Sequence, residues 1–249
     1  MRKHWPLYLM EAAELAAFML SACLFTVLLY HPASPALHWI PDATLRRACM
    51  GIAMGATAVA IIKSPWGKRS GAQFNPAITL TFLRLGKIGP VDAVCYIAAH
   101  FAGGILGVGL SAMLAGRALA VPEVNYAVTV PGPWGTGAAF AAELFMAALL
   151  MAVVLTTSNR PRLAPYTTYM VGTLIFGYIL VFAPVSGFSI NPARTVGSAI
   201  FAQLWTAVWI YFAAPVLGML TSAELYLRLT EPRPRPYFTH RHLQQKPTV

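Results

Sequence analysis

At 249 residues, 57% hydrophobic and 10% charged, the chain falls well short of the roughly 25% charge of a soluble domain. That composition points to a membrane protein and away from an aqueous enzyme. A formal charge of +10 would suggest nucleic acid on a soluble chain, but here the basic residues gather in the breaks between apolar runs.

The first apolar run covers residues 7–30. Arg2 and Lys3 before it, and "LSAC" within it, imitate a lipoprotein signal. Glu11 and Glu14 inside the run, and its length, argue for a span that is retained. Further runs follow at 45–62, 90–116, 137–157, 165–183 and 203–227, each long enough to cross about 30 Å of hydrocarbon as a helix. Turn-forming segments separate them: "HPASPALHWIPD", "KSPWGKRSG", "VPEVNYAVTVPGPWG" and "SNRPRLAP". Residues 228–249 are basic and Pro-rich and read as a disordered tail. Cys23, Cys49 and Cys95 lie in apolar runs at no metal-like spacing and read as small core residues. No metal or cofactor is implied.

With the N-terminus in the cytoplasm, 14 of the 18 Lys and Arg fall on the inner side. Arg46, Arg47 and Arg117 fall outside, and Arg194 lies within the membrane. Both termini are then cytoplasmic, in a multi-pass protein of the plasma (inner) membrane. This distribution accounts for the net charge without nucleic acid.

Two stretches nearly repeat: "SGAQFNPAITL" at 70–80 and "SGFSINPARTV" at 186–196. Three spans lie between them, so the copies face opposite sides of the membrane. The chain therefore divides into two inverted halves, about 7–116 and 137–227, within one domain. Asn is a strong helix N-cap and Pro is favoured at the first helical position. Asn75-Pro76-Ala77 and Asn191-Pro192-Ala193 each read as the start of a helix of about ten residues, roughly 15 Å long or half the hydrocarbon. The residues before each Asn, including Gly71, Ala72, Gln73, Gly187 and Ser189, must run as irregular backbone. At membrane depth that is tolerated where it lines a wet cavity.

Two Asn-Pro-Ala boxes, each opening a half-helix, with Arg194 after the second, resemble the aquaporin and glycerol facilitator (major intrinsic protein) family, in its bacterial-type form. The resemblance covers the whole chain. It implies an all-α membrane fold of six transmembrane helices plus two re-entrant half-helices, and a homotetramer with one pore per protomer. It implies passage of water and small neutral solutes, with Asn75 and Asn191 turning their NH2 groups to the pore. It also implies that Glu14 and Glu143 are buried glutamates bracing the re-entrant loops. His100 reads as a structural histidine bonded to a loop.

Matching the family's spacing gives the filter. Arg194 is its cation, Phe188 stands where glycerol facilitators often have Phe, and Ile179 stands where water-selective members usually place His. The second-span position is Gly55 by spacing alone; counting "SPWGKR" as an insertion moves it to Met54 or Met50. An apolar wall with one multi-donor edge suits a polyol. Thr195, where glycerol facilitators usually carry Asp, and the short 117–137 connection depart from that subtype.

A water-selective channel is the alternative within this class. A coupled secondary transporter also uses inverted repeats, but needs titratable groups in its path. An intramembrane enzyme needs a nucleophile–base pair or a metal cluster, and none stands out.

Overall fold

The computed structural model describes residues 4–230. The helices are α1 Trp5–Tyr30, α2 Ala36–Trp39, α3 Ala43–Lys63, α4 Pro65–Ser70, α5 Pro76–Arg84, α6 Pro90–Ala115, α7 Gly135–Ser158, α8 Thr167–Ser186, α9 Pro192–Ala202 and α10 Ile210–Leu229. Six of these segments are long and apolar enough to cross a membrane. Since the number is even, Trp5 and Leu229 lie on the same face, called here the terminal face.

Local chemistry sets the boundaries. Asp42 starts α3 by accepting from the Leu45 N–H at 2.7 Å, and Ser64 starts α4 by accepting from Gly67 at 2.9 Å. Pro65, Pro76, Pro90 and Pro192 occupy first-turn positions, where a missing N–H costs nothing. Gly71 and Gly187 end α4 and α8 with φ of 107° and 79°, a left-handed geometry that glycine adopts freely.

Helix packing repeats with the sequence. α1 packs on α6 as α7 packs on α10; α6 packs on α9 as α10 packs on α5. The pairs α3·α8 and α5·α9 map onto themselves, so they lie where the two halves meet. Close backbone approach holds these contacts. A Cβ on Gly55 would sit 2.6 Å from the Gly172 carbonyl oxygen, and one on Gly104 would sit 2.6 Å from that of Ala193. Small residues at helix crossings are how helices associate in lipid. Large apolar side chains such as Leu28, Ile52 and Met113 point outward, as expected of a lipid-facing surface.

Two boundaries differ from expectation. The last span begins at Ile210, not 203, because α9 ends at Gln203 in a left-handed conformation (φ 51°) and the chain turns before α10. The unbroken apolar stretch hides that turn. α10 also runs to Leu229, so residues 228 and 229 are helix rather than tail; the rest of the expected tail, from 231, lies outside the described residues. The "SPWGKR" segment forms the extra short helix α4.

Candidate functional site: a conduit between two half-helices

α5 and α9 contain nine and eleven residues, about 14 and 17 Å at 1.5 Å per residue. Each opens on its asparagine. The Asn75 side-chain oxygen Oδ1 accepts from Ala77 N–H at 2.9 Å; Oδ1 of Asn191 accepts from Ala193 N–H at 3.0 Å and Arg194 N–H at 3.2 Å. The amide ends then cross over. Asn75 Nδ2 donates to the Ile190 carbonyl and Asn191 Nδ2 donates to the Phe74 carbonyl, both at 2.8 Å. Each NH2 carries two hydrogens, so one per asparagine is left beyond these cross-bonds. Both asparagines line the central cavity.

The loops before the half-helices are non-helical and matched in detail. Ala72 and Phe74 have φ of 48° and 29°; Phe188 and Ile190 have φ of 53° and 46°. Such left-handed non-glycine residues are strained and persist only where surroundings enforce them. Buried carboxylates do so here. Glu143 accepts from the Ser186 hydroxyl at 2.7 Å and from the N–H groups of Ser189 (2.9 Å) and Ile190 (2.5 Å). In the first half, two residues divide that work. Glu14 accepts from the Ser70 hydroxyl at 2.8 Å, while Glu11 accepts from Gln73 N–H at 3.1 Å and Phe74 N–H at 2.7 Å.

Sequence reasoning missed the role of Glu11. The signal was present: a second carboxylate three residues before Glu14, on the same helix face of an apolar span, where charge is costly and needs partners. His100 also differs from expectation. Its Nε2 pairs with Glu11 Oε2 at 2.9 Å, so it braces the loop through Glu11 and not by bonding the loop itself.

A cavity of about 610 Å³ runs past both boxes. Its walls include Gly71, Ala72, Gln73, Gly187, Phe188 and Ser189 from the loops, with Ile179 from α8 and Arg194 from α9. Ile62, Phe82 and Thr167 line it toward the terminal face; Tyr30, Arg47 and Glu123 line it toward the other. Thr195 turns away from this role: its hydroxyl lies 3.0 Å from Thr129 and 2.5 Å from Ser189, tying the 117–137 connection to the second loop.

Gly55 is not on the wall. It packs against Gly172 of α8, whereas Met50 and Met54 line the cavity from the neighbouring face of α3. Depth separates the two methionines. Arg194 lies three residues beyond Asn191 toward the far face, about 4.5 Å. Met50 lies three residues from the midpoint of α3 in the same direction, again about 4.5 Å. Ile179 lies at a similar depth on α8. Met54 falls just past the midpoint, toward the terminal face.

A family model described as major intrinsic protein matches residues 10–226. The chain belongs to the major intrinsic protein family. The family and the six apolar helices make it a multi-pass integral membrane protein. A probable NIP-type aquaporin of Nicotiana alata is 35% identical over 161 residues, covering 64% of this chain and 58% of that protein. Aquaporin A of Dictyostelium discoideum is 30% identical over 200 residues, covering 77% and 69%. Glycerol uptake facilitator protein-like 6 of Lactiplantibacillus plantarum is 32% identical over 187 residues, covering 70% and 81%. The chain thus spans less than two thirds of the first of these relatives. Among solved structures, the aquaglyceroporin from Plasmodium falciparum superposes with a TM-score of 0.72 at 18% identity, over 88% of this chain and 93% of that one. This major intrinsic protein therefore has the aquaporin-like fold.

Proposed function

We propose that the chain is a passive channel for water and small neutral solutes that excludes ions and protons, aquaglyceroporin-like in its filter. Two helix N-termini meeting at one point hold a passing water with its oxygen toward them and its hydrogens facing away on both sides, which breaks a proton wire. The observation that carries the reading is one cavity that passes both Asn-Pro-Ala boxes with Arg194, Phe188, Ile179 and Met50 on its wall. The helix N-termini at Asn75 and Asn191 each contribute about half a positive charge at one point. Arg194 adds a full charge; a monovalent cation about 4 Å away meets around 4 kcal/mol of repulsion at an effective dielectric of 20. A neutral solute meets none of this. The three apolar side chains take the carbon side of a polyol, and the guanidinium takes its hydroxyls.

The names of the relatives, aquaporins and a glycerol uptake facilitator, support this class. A coupled transporter is less well supported, because Glu11, Glu14 and Glu143 are already committed to the loops. The family resemblance and the charge bias support a homotetramer with both termini in the cytoplasm, in the plasma (inner) membrane. The test is light scattering from proteoliposomes. Shrinkage in sucrose reports water and re-swelling in glycerol reports solute, and both should outpace empty vesicles. Phe188→Cys with Ile179→His should shift the ratio toward water. Acceleration of the water phase alone would favour a water-selective channel.

A further inference from the structure

We infer that Met50 is an oxidation site inside the conduit, where hydrogen peroxide travelling through the pore converts its thioether to the sulfoxide and slows solute passage. The inference rests on the channel reading above and on where the methionines lie.

Met19, Met54, Met146, Met151 and Met219 are all at most 2% exposed. Met113 is 82% exposed, but on the outer surface of α6, away from the cavity. Met50 and Met54 alone among these line the cavity, and they are not equivalent. Met54 is buried and the Ser21 hydroxyl donates to its sulfur at 3.8 Å. Met50 is only partly buried, and among the described residues no hydroxyl donates to its sulfur. Met10 and Met170 are partly buried too, but do not line the cavity. Met50 is therefore the sulfur that an oxidant inside the conduit reaches first.

The oxidant must be small and uncharged, because the half-helix N-termini and Arg194 oppose cations and the wall is apolar. Hydrogen peroxide fits; a bulky peroxide does not. A sulfur lone pair attacks one peroxide oxygen. The S–O bond forms as the O–O bond breaks. The sulfur loses two electrons, and the departing hydroxide takes up the peroxide proton and leaves as water. No other reductant or oxidant is required.

The product replaces an apolar surface by a strong acceptor at the depth of Arg194. Each passing hydroxyl then meets a group it must bind and release. One net hydrogen bond of drag corresponds to about a fivefold slowing. The site would let an oxidant throttle its own conduit.

The test treats reconstituted, full-length protein with millimolar hydrogen peroxide. Peptide mass spectrometry follows each methionine while light scattering follows glycerol re-swelling. The expected result is sulfoxide at Met50 well before Met54 or Met19, with glycerol permeability falling about fivefold on the same time course. Relative to its own untreated rate, Met50→Leu should lose that fall, whereas Met113→Leu should keep it. Met50 remaining unoxidised while Met113 is converted would overturn the inference. So would full conversion of Met50 with unchanged permeability, or an equal fall in Met50→Leu. Untreated vesicles that conduct nothing, while Met50 still oxidises ahead of Met54, would sink the channel reading and leave the oxidation site standing.

Discussion

The Asn75 carboxamide donates to the Ile190 carbonyl at 2.8 Å across 115 residues of sequence, and Asn191 returns the same bond to Phe74. Each half of the chain therefore holds the other's loop in place at the centre of the membrane. The asparagines cap their own helices with one end and cross-link the halves with the other. Removing either should cost an N-cap, about 0.5–2 kcal/mol, and one hydrogen bond, about 1 kcal/mol. Because the two cross-bonds secure one loop–loop contact, Asn75→Ala with Asn191→Ala should cost less than the sum of the single variants. Thermal unfolding in detergent, followed by tryptophan fluorescence, checks this.

The loop braces predict an asymmetric response. Glu143→Ala abandons one hydroxyl and two backbone N–H groups; Glu11→Ala abandons two N–H groups and His100. Each buried orphan costs about 1–3 kcal/mol, so both variants should lose about 3 kcal/mol or more. Glu14→Ala abandons only Ser70 and should lose about 1–2 kcal/mol. The melting temperatures of the three variants should rank accordingly, with Glu14→Ala the mildest.

Much of this architecture is readable from residue chemistry alone. The doubled Asn-Pro-Ala string, three spans apart, carries the inverted repeat, because capping and proline preference are local rules. The start of α10 was not readable, since residues 203–209 are as apolar as a span while their backbone turns. Gly55 and Met50 could not be separated by counting. Which face of α3 meets the cavity is set by packing: Gly55 sits against Gly172 while Met50 and Met54 face the cavity. Glu11 was visible as a buried charge, but its division of labour with Glu14 depends on three-dimensional reach.

The same face assignment yields a paired prediction. Gly55→Ala would force a Cβ to within 2.6 Å of the Gly172 carbonyl, an overpacking worth about 1–3 kcal/mol. It should lower the melting temperature and leave the ratio of glycerol to water permeability alone. Met50→Ala should do the reverse, widening the filter and raising passage of larger polyols relative to glycerol. If Gly55→Ala changed solute preference and Met50→Ala did not, Met50 would not belong to the filter.

Among the described residues, Arg194 is the one basic side chain beside the half-helix tips. Replacing it by Val should remove about 4 kcal/mol of cation repulsion, allowing up to about a thousandfold more cation leak. The helix dipoles remain, so the measured rise should be smaller than that ceiling. Potassium flux into vesicles, with a valinomycin control, reads it directly.

The central claim is a path that passes neutral solutes and refuses protons, and one recording tests both halves. Vesicles holding the protein and a trapped pH dye are mixed with glycerol under an imposed pH step. The account predicts that re-swelling accelerates over empty vesicles while the dye signal decays no faster than in empty vesicles. Re-swelling at the empty-vesicle rate, or a pH signal that collapses along with it, would contradict the account.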